Sequence, residues 1–129
     1  MSKQSLKVYI SASFHNRLKM RPIRDKIWQL GHNVVSTWID ESSKPLAMPQ
    51  RDFDKKTAFK DLCEVSLAEL VIMDLESVST GKAVELGFAL AQHQNKMIWT
   101  VGKEDHIFHT LADRNFRTWD EYFTELGKE

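Results

Sequence analysis

Cysteine is nearly absent from this chain, because Cys63 is the only one among its 129 residues. A single cysteine excludes an internal disulfide and a cysteine-rich zinc site. Sparse cysteine is typical of a reducing compartment, so we predict a cytoplasmic protein. Cys63 lies among apolar residues at helical spacing, and we expect an inert, partly buried thiol rather than a nucleophile.

Long apolar runs and an excess of charge of one sign are missing as well. The longest unbroken aliphatic run, Leu70–Met73, is far shorter than the ~20 residues of a membrane helix. Residues 1–5 have none of the apolar core of a signal peptide. Lys and Arg together number 18, as do Asp and Glu, so the formal net charge is zero. We therefore expect neither a membrane partner nor a nucleic acid polymer as a partner.

What the sequence does contain is a regular alternation of strand-like runs and helical segments. Its length predicts one domain over residues 1–129. We predict strands at Lys7–Ser11, Val34–Trp38, Leu70–Asp74 and Met97–Val101, and a short fifth strand near Phe116. We predict helices from Pro22 to about Leu30, from about Asp54 to Leu67, from Gly81 to Gln92, and from the capping box Thr118–Glu121 to about Leu126. A surface loop is expected over Asp40–Asp52.

Apolar residues at helical spacing predict which side of each helix faces the core. The predicted core stripes are Ile23, Ile27 and Leu30 in the first helix, Phe59, Leu62, Cys63 and Leu67 in the second, and Val84, Phe88 and Ala91 in the third.

The alternation predicts an α/β fold of the flavodoxin-like or Rossmann-like kind. We expect a parallel five-stranded sheet of order 2-1-3-4-5 with helices on both faces. In such sheets a ligand binds beyond the carboxyl ends of the strands where the strand order reverses, here between strands 1 and 3. Two loops are therefore expected to form the site, namely Ser11–Arg17 and Asp74–Gly81.

The second of these loops leads into a helix that carries a carboxylate one turn from its start. Gly81 allows a ligand to approach the backbone, and the amide groups at a helix N-terminus attract anions. Glu85 is then placed to act as a nucleophile or base at the crevice, or it is simply an exposed helical residue. A phosphate-binding loop is excluded, because Glu76 and Ala83 stand where that motif needs Gly and Ser or Thr.

Several segments together resemble the nucleoside 2-deoxyribosyltransferase family, which includes the 2′-deoxynucleoside 5′-monophosphate N-glycosidases. The segments are Val8-Tyr-Ile-Ser11, Lys60-Asp-Leu62, Ala68-Glu-Leu-Val-Ile-Met-Asp74, Gly81-Lys-Ala-Val-Glu-Leu-Gly-Phe-Ala-Leu-Ala91 and Ile107-Phe-His109 before Trp119-Asp-Glu121. The resemblance runs nearly end to end, and the Glu-Leu-Gly segment with its upstream glycine is its most specific part.

The resemblance implies a role for three catalytic residues. Glu85 is similar to the family nucleophile that attacks the anomeric carbon of the sugar. Tyr9 resembles the phenol that positions this carboxylate, and Asp61 resembles the aspartate that helps the base to depart. Such chemistry is consistent with a carboxylate that stabilises, and then traps, an oxocarbenium-like sugar. It implies no metal and no organic cofactor.

The resemblance also implies a set of substrate-binding residues and a small-molecule nucleoside or nucleotide substrate. Ser79 stands where the family has Asp, which holds a sugar hydroxyl, or Ser, which holds a 5′-phosphate in the monophosphate-cleaving members. Hydroxyl and basic groups of the first loop suit a phosphate, although Ala12 and Asn16 stand where phosphate-binding members often have glycine. The expected binding residues are Ser11, Ser13, His15, Arg17, Ser79, Gly81 and His106. Arg17 alternatively is a surface charge.

Assembly is the last implication of the resemblance, since family members share their sites between subunits. The resemblance implies a homodimer or a higher homo-oligomer. In it, either His106 or His109 of a neighbouring subunit completes the sugar site, or each histidine simply packs or caps. A metal pair at these two histidines lacks a third ligand in the sequence. Phe14 or Trp38 is a candidate for stacking on the base.

Two classes of rival function stay open. One is a non-catalytic nucleotide-binding or signalling domain on the same scaffold, and the other is an interaction module with an inactive site. If the protein is an enzyme, the sequence does not distinguish a transferase from a hydrolase. The outcome depends on whether water or a second base reaches the glycosyl-enzyme.

Overall fold

A computed structural model of the chain describes residues 5–41, 47–92 and 95–128, and these form a parallel sheet with flanking helices. Strands are β1 (Lys7–Ser11), β2 (Asn33–Val34), β3 (Leu70–Asp74), β4 (Met97–Val101) and β5 (Arg114–Phe116). Helices are α1 (Arg17–Gln29), α2 (Gln50–Leu67), α3 (Thr80–Ala91) and α4 (Trp119–Leu126). Short 3₁₀ turns lie at Phe14–Asn16, Trp38–Asp40 and Ile107–Leu111.

The sheet order β2-β1-β3-β4-β5 confirms the predicted flavodoxin-like topology. Every pairing is parallel, and the register sets Tyr9 beside Val71 and Ser11 beside Met73. The carboxyl ends of β1 and β3 therefore lie next to each other at the point where the strand order reverses. Helix α1 packs with α4, and α2 packs with α3.

Continuous burial explains why the central strands were predicted with correct bounds. Every residue of β3 is buried, as are the last four residues of β1 and of β4. Such strands read as unbroken apolar runs because both faces of a parallel sheet are covered. The capping box before α4 is also present, since the Thr118 hydroxyl accepts from the amide of Glu121 at 3.2 Å. The Glu121 carboxylate, however, accepts a hydrogen bond from the amide of Arg117, the residue before the N-cap, at 2.9 Å.

The predictions for strand 2 and for the first helix were wrong in extent. Strand β2 ends at Val34, because Ser36 and the residues after it bind neighbouring groups through their side chains. Such local side-chain bonding competes with sheet ladders. Helix α1 begins at Arg17, so Pro22 lies in its second turn rather than at its start.

The predicted inner stripes of α2 and α3 were also wrong in part. Phe59 is 71% exposed, Leu67 61% and Val84 54%, so these apolar residues face outward. Cys63 is likewise exposed, which corrects the expected partly buried thiol. The side of α2 that is buried carries Glu64 and Val65 instead.

Some expectations lie outside the described residues. The predicted loop Asp40–Asp52 is one of these, because it is described only at its two ends, and α2 already begins at Gln50. Among the described residues, no helix is both long enough and apolar enough to cross a lipid bilayer.

Candidate active site

Glu85 lies where the crevice was predicted, and two side chains of β1 hold its carboxylate. The Tyr9 hydroxyl donates a hydrogen bond to Oε2, and the Ser11 hydroxyl donates to Oε1 at 2.7 Å. Tyr9 and Ser11 are two residues apart on one strand, so their side chains project from the same face of the sheet. Both donors are fully buried, and they fix the carboxylate in one orientation.

Burial sets the protonation of this pair. Burial raises the pKa of the Tyr9 phenol far above its usual range, and the negative charge of Glu85 raises it further. Tyr9 is therefore a permanent donor. Burial also raises the pKa of Glu85, whereas the hydrogen bonds from Tyr9 and Ser11 act to lower it. The two donors thus stabilise the ionised carboxylate inside a site that would otherwise favour the neutral acid.

Asp61, on α2, is the second carboxyl group of the site. Burial, followed by the charges of Glu85 and Glu41, raises the pKa of Asp61 to about 7, and Lys60 opposes this. Its Oδ1 atom is buried without a hydrogen-bond partner among the described residues. A carboxyl group in this state can carry a proton at neutral pH and present it to a ligand.

Residues 37 and 38, which follow β2, border the site on the side of β1. Glu64, one helical turn beyond Asp61, accepts from the amide of Thr37 at 3.0 Å and from its hydroxyl at 2.6 Å. The next residue, Trp38, is buried, and its ring centroid lies 6.5 Å from that of Phe14. Phe14 is about half exposed, so an aromatic surface is available beside the crevice.

The two predicted loops meet through a pair of serines. The hydroxyls of Ser13 and Ser77 lie 2.6 Å apart and form a hydrogen bond. Ser79 is the N-cap of α3, where its hydroxyl accepts from the amide of Lys82 at 3.3 Å. Gly81 is exposed, and a Cβ added there would meet only the Ser79 hydroxyl at an ordinary 3.6 Å. Within the protein alone, no steric constraint requires glycine at this position.

The basic residues predicted for the first loop lie at its surface. His15 is exposed in the 3₁₀ turn that precedes α1. Arg17 is half-buried, and its guanidinium lies over the ring of Phe14, 4.6 Å from the centroid. No hydrogen bond among the described residues joins either side chain to Glu85.

His106 lies elsewhere, in a cavity of about 580 Å³ between α3 and the 3₁₀ turn Ile107–Leu111. Its walls are mostly apolar, and Tyr9, Asp61 and Glu85 do not contribute to them. The polar residues that line it are Ser77, Ser79, Lys82, Asp105, His106 and His109. The His106 ring stacks on Phe108 and accepts from its amide at 3.2 Å. Within one chain, His106 is therefore separate from the carboxylate site.

Lys82 closes the bottom of this cavity and was missed by the sequence analysis. It is buried, and its ammonium group donates to the carbonyls of Asp74, at 2.7 Å, and Ser77. Burial lowers its pKa. Glu64, Thr37 and Ser77 were missed as well. For Glu64 the signal was available, because it is three residues from Asp61 and so shares its helix face.

Metal ligation has no geometric basis in the part of the chain that is described. No group of three or more His, Cys, Asp or Glu side chains there is arranged to hold an ion. His109 instead lies 3.4 Å from the carboxylate of Asp105, measured from Nδ1 to Oδ1.

Comparison with known proteins finds similarity in structure but not in sequence. No family model matches the chain, and no curated protein matches it. A 2-deoxyribosyltransferase from the psychrotolerant bacterium Bacillus psychrosaccharolyticus superposes with a TM-score of 0.74 at 18% identity, over 93% of this chain and 95% of that one. A conserved protein of Enterococcus faecalis V583 gives 0.73 at 12% identity, over 97% and 99%.

A third solved structure is an enzyme that acts on a nucleotide. The CMP N-glycosidase BcmB of Clostridium botulinum superposes with a TM-score of 0.58 at 20% identity, over 95% of this chain and 99% of that one. Identities this low establish architecture rather than activity. The resemblance found in the sequence is thus confirmed at the level of the fold: this chain has the fold of a 2-deoxyribosyltransferase and of a nucleotide N-glycosidase.

Proposed function

We propose that the protein cleaves the N-glycosidic bond of a 2′-deoxynucleoside or its 5′-monophosphate, with Glu85 as a covalent nucleophile. The observation that carries this proposal is the carboxylate itself, which two buried hydroxyls orient at the carboxyl end of the sheet. A glutamate with a purely structural role would only lose stability from partial desolvation beside a second carboxyl group. A nucleophile needs both its orientation and its partial desolvation.

The reaction proceeds in two displacements. In the first, a Glu85 oxygen forms a bond to C1′ while the bond from C1′ to the base nitrogen breaks, and its electron pair leaves with the base. Each carboxylate oxygen keeps a free lone pair for this attack after accepting one hydrogen bond. In the second, water or another base attacks C1′, and Glu85 departs as a carboxylate. The overall configuration at C1′ is retained.

Asp61 is proposed to assist the departing base. A carboxyl group whose pKa is raised to about 7 is partly protonated at neutral pH, so it can donate to a ring nitrogen as the bond breaks. We propose that Phe14, which is about half exposed, borders the base, whereas Trp38 is buried and its indole is bonded to the backbone of Ile10. The Tyr9 phenol positions Glu85, and its strongly raised pKa keeps its proton out of the reaction.

For the sugar end, we propose a 5′-monophosphate in preference to a free nucleoside. Ser13, Ser77 and Ser79 supply hydroxyls near the N-terminus of α3, and a helix N-terminus favours an anion. A carboxylate at position 79 would repel phosphate, whereas a hydroxyl can donate to it. The predicted binding roles of Ser11, His15, Arg17 and Gly81 stay predictions.

The direct test is incubation with 2′-deoxynucleosides and with their 5′-monophosphates, followed by chromatographic detection of free base. We expect base release, faster from the monophosphate. Addition of an acceptor base distinguishes transfer, which gives an exchanged nucleoside, from hydrolysis, which gives free sugar. Binding without base release would support the rival nucleotide-binding domain, and absence of binding would support an inactive interaction module.

The covalent step has its own test. A 2′-fluoro substrate analogue slows breakdown of the glycosyl-enzyme, so intact-mass analysis should detect one added sugar on the wild type. Peptide mapping should place it on Glu85, and Glu85→Ala should form none. An unmodified mass after mixing with the analogue, in an enzyme that turns over the normal substrate, would contradict the covalent route while leaving glycosidase activity intact.

We further propose that the chain assembles as a homodimer, with His106 or His109 of one subunit near the sugar site of the other. The outward apolar residues Phe59, Leu67 and Val84 support a surface that is covered in the assembly. The cytoplasmic location stays a prediction.

A further inference from the structure

Ile10 lies between Tyr9 and Ser11, the two residues that hold Glu85, and its backbone lies beyond the end of the β1–β2 ladder. The last rung of that ladder is the bond from the Val35 amide to the Val8 carbonyl, at 2.8 Å. In a parallel sheet, alternate residues direct both backbone polar groups to the same neighbouring strand. Ile10 therefore faces a strand that has already ended.

Two side chains replace the missing rungs. The amide of Ile10 donates to the Ser36 hydroxyl at 3.1 Å, and the indole Nε1 of Trp38 donates to the Ile10 carbonyl at 2.8 Å. Ile10 is fully buried, so neither backbone group has access to water. An unsatisfied buried amide or carbonyl is costly, and these two bonds fix the local course of β1.

The segment that supplies these side chains is itself anchored. Between Ser36 and Trp38, the Thr37 amide and hydroxyl donate to the two carboxylate oxygens of Glu64, at 3.0 and 2.6 Å. Ser36, Trp38 and Glu64 are all buried. Segment 36–38 is thus tied to β1 on one side and to α2, which carries Asp61, on the other.

We propose that Ser36 and Trp38 are positioning residues. By holding the backbone of Ile10, they keep the Tyr9 and Ser11 hydroxyls at the spacing at which both donate to the Glu85 carboxylate. Because Ile10 joins these two residues, rotation of its peptide groups would move both donors relative to the carboxylate. The inference rests on the proposed function for its kinetic consequence, but the hydrogen-bond geometry it explains does not depend on catalysis.

The expected size of the effect follows from the tolerance of catalytic geometry. Displacement of a reacting group by about 1 Å can lower a rate about 100-fold. A lost bond to Ile10 should cause a smaller displacement, so we expect kcat to fall about tenfold. KM should change much less, because both side chains are buried and neither is proposed to contact the substrate.

The test compares Trp38→Phe and Ser36→Ala with matched controls. Trp38→Phe keeps an aromatic ring but removes the donor, and Ser36→Ala removes the acceptor. Ser36→Thr restores a hydroxyl and should recover most of kcat. Lys96→Met is the control, because Lys96 also donates to buried carbonyls, those of Val65 and Ala68, but at the far end of α2. It should leave kcat unchanged.

A second readout needs no turnover. The proton between the Tyr9 hydroxyl and Glu85 should give a low-field proton NMR resonance that is absent from Tyr9→Phe. We expect this resonance to shift or broaden in Trp38→Phe and Ser36→Ala, and to stay in place in Lys96→Met. If the Ser36→Ala variant does not fold, the Trp38→Phe variant still tests the positioning role.

The outcomes separate the two proposals. A folded Trp38→Phe variant with unchanged kcat and an unchanged resonance would overturn the positioning role. A wild type that releases no base would overturn the proposed function, and the resonance alone would then decide whether Ser36 and Trp38 position the Tyr9–Glu85 pair. Equal loss of kcat in Lys96→Met would show a general loss of stability and would also overturn the inference.

Discussion

At Glu85, desolvation and hydrogen bonding act on the pKa in opposite directions. Burial raises the pKa, and the bonds from Tyr9 and Ser11 lower it. The charge of Glu64 adds to the increase. The nucleophile role proposed for Glu85 requires an ionised carboxylate, and the two hydroxyl donors keep it ionised at lower pH than burial alone would allow.

Tyr9→Phe tests this balance directly. Removal of a hydrogen bond to a charged group should lower kcat about 10- to 100-fold. The pKa of Glu85 should also rise, because the bond that lowers it is gone, and the acidic limb of the kcat profile should move to higher pH. The pH dependence of base release measures both effects.

The chain offers a matched control, since Tyr122 is its only other tyrosine. Its hydroxyl is buried and lacks a hydrogen-bond partner among the described residues. Tyr122→Phe should leave kcat and its pH profile unchanged. Similar profiles for the two phenylalanine variants would contradict the assigned role of Tyr9.

Asp61 should give both activity and stability a dependence on pH. Its folded pKa of about 7 lies above the value of about 3.9 expected in an unfolded chain. The neutral acid is therefore favoured in the folded state, and the associated stability is lost as pH rises from about 4 through 7. For a group that is only half buried, solvent screening leaves a contribution of about 1 kcal/mol.

Asp61→Asn should remove this dependence, and denaturant unfolding at pH 5 and pH 8 measures it. The wild type should lose more stability than the variant between these two conditions. Activity of the wild type should fall above pH 7 as the proton is lost. Glu85→Gln should lower the pKa of Asp61, because it removes a neighbouring negative charge, and carboxyl NMR titration can follow this without turnover.

At the scale of elements, the central strands β1, β3 and β4 were predictable because each is a largely apolar run that is buried on both faces. Strand β3 is the clearest case, since burial of all five residues leaves one interpretation of Leu70–Asp74. The strand order followed from the alternation, because right-handed crossovers leave few topologies. The strand order predicted the position of the crevice. The crevice in turn predicted two loops, one of which bears Ser13, while the other leads into the helix that carries Glu85.

Other features were not predictable, for identifiable physical reasons. Phe59 and Leu67 repeat at the helical period, but a period alone does not say whether an apolar face meets the core or another molecule. Strand β2 ends early because Ser36 and Trp38 use their side chains in place of the backbone ladder. Contacts that join residues 27 positions apart, such as Thr37 with Glu64, leave no local pattern.

Helix α4 provides a test of local stability away from the site. Thr118 caps it by accepting from the Glu121 amide, so Thr118→Ala should destabilise the protein by about 1 kcal/mol. For a chain of this size that is a decrease in Tm of about 4 °C. Thr124→Ala, which removes an exposed hydroxyl bonded to a carbonyl in the same helix, is the control and should change Tm less. Equal shifts would show that the cap contributes nothing specific.

At the scale of the whole molecule, the outward apolar residues of α2 and α3 require an explanation. Helix α2 has 18 residues, is about 27 Å long and packs beside α3. A stable dimer buries about 800 Å² on each partner, which two adjacent helices and their flanks can supply. A two-fold axis pairs one such face with the same face of a second subunit, so that no unpaired apolar surface is left exposed.

The position of Leu67 in this face gives a prediction with an internal control. Leu67 on α2 and Leu18 on α1 are each 61% exposed, so a new charge at either position stays in contact with water in the isolated chain. In a dimer paired through α2 and α3, Leu67→Glu places an unpaired charge in the interface and should weaken dimerisation at least tenfold, or about 1.4 kcal/mol. Leu18→Glu should leave dimerisation unchanged. Light scattering after size-exclusion chromatography over a range of concentrations measures both.

A wild type that stays monomeric would contradict the dimer. Equal weakening of dimerisation by the two variants would place the interface elsewhere. If a partner histidine completes the sugar site, base release by Leu67→Glu should fall with the dimer fraction, because each separated subunit keeps Glu85 but loses that histidine.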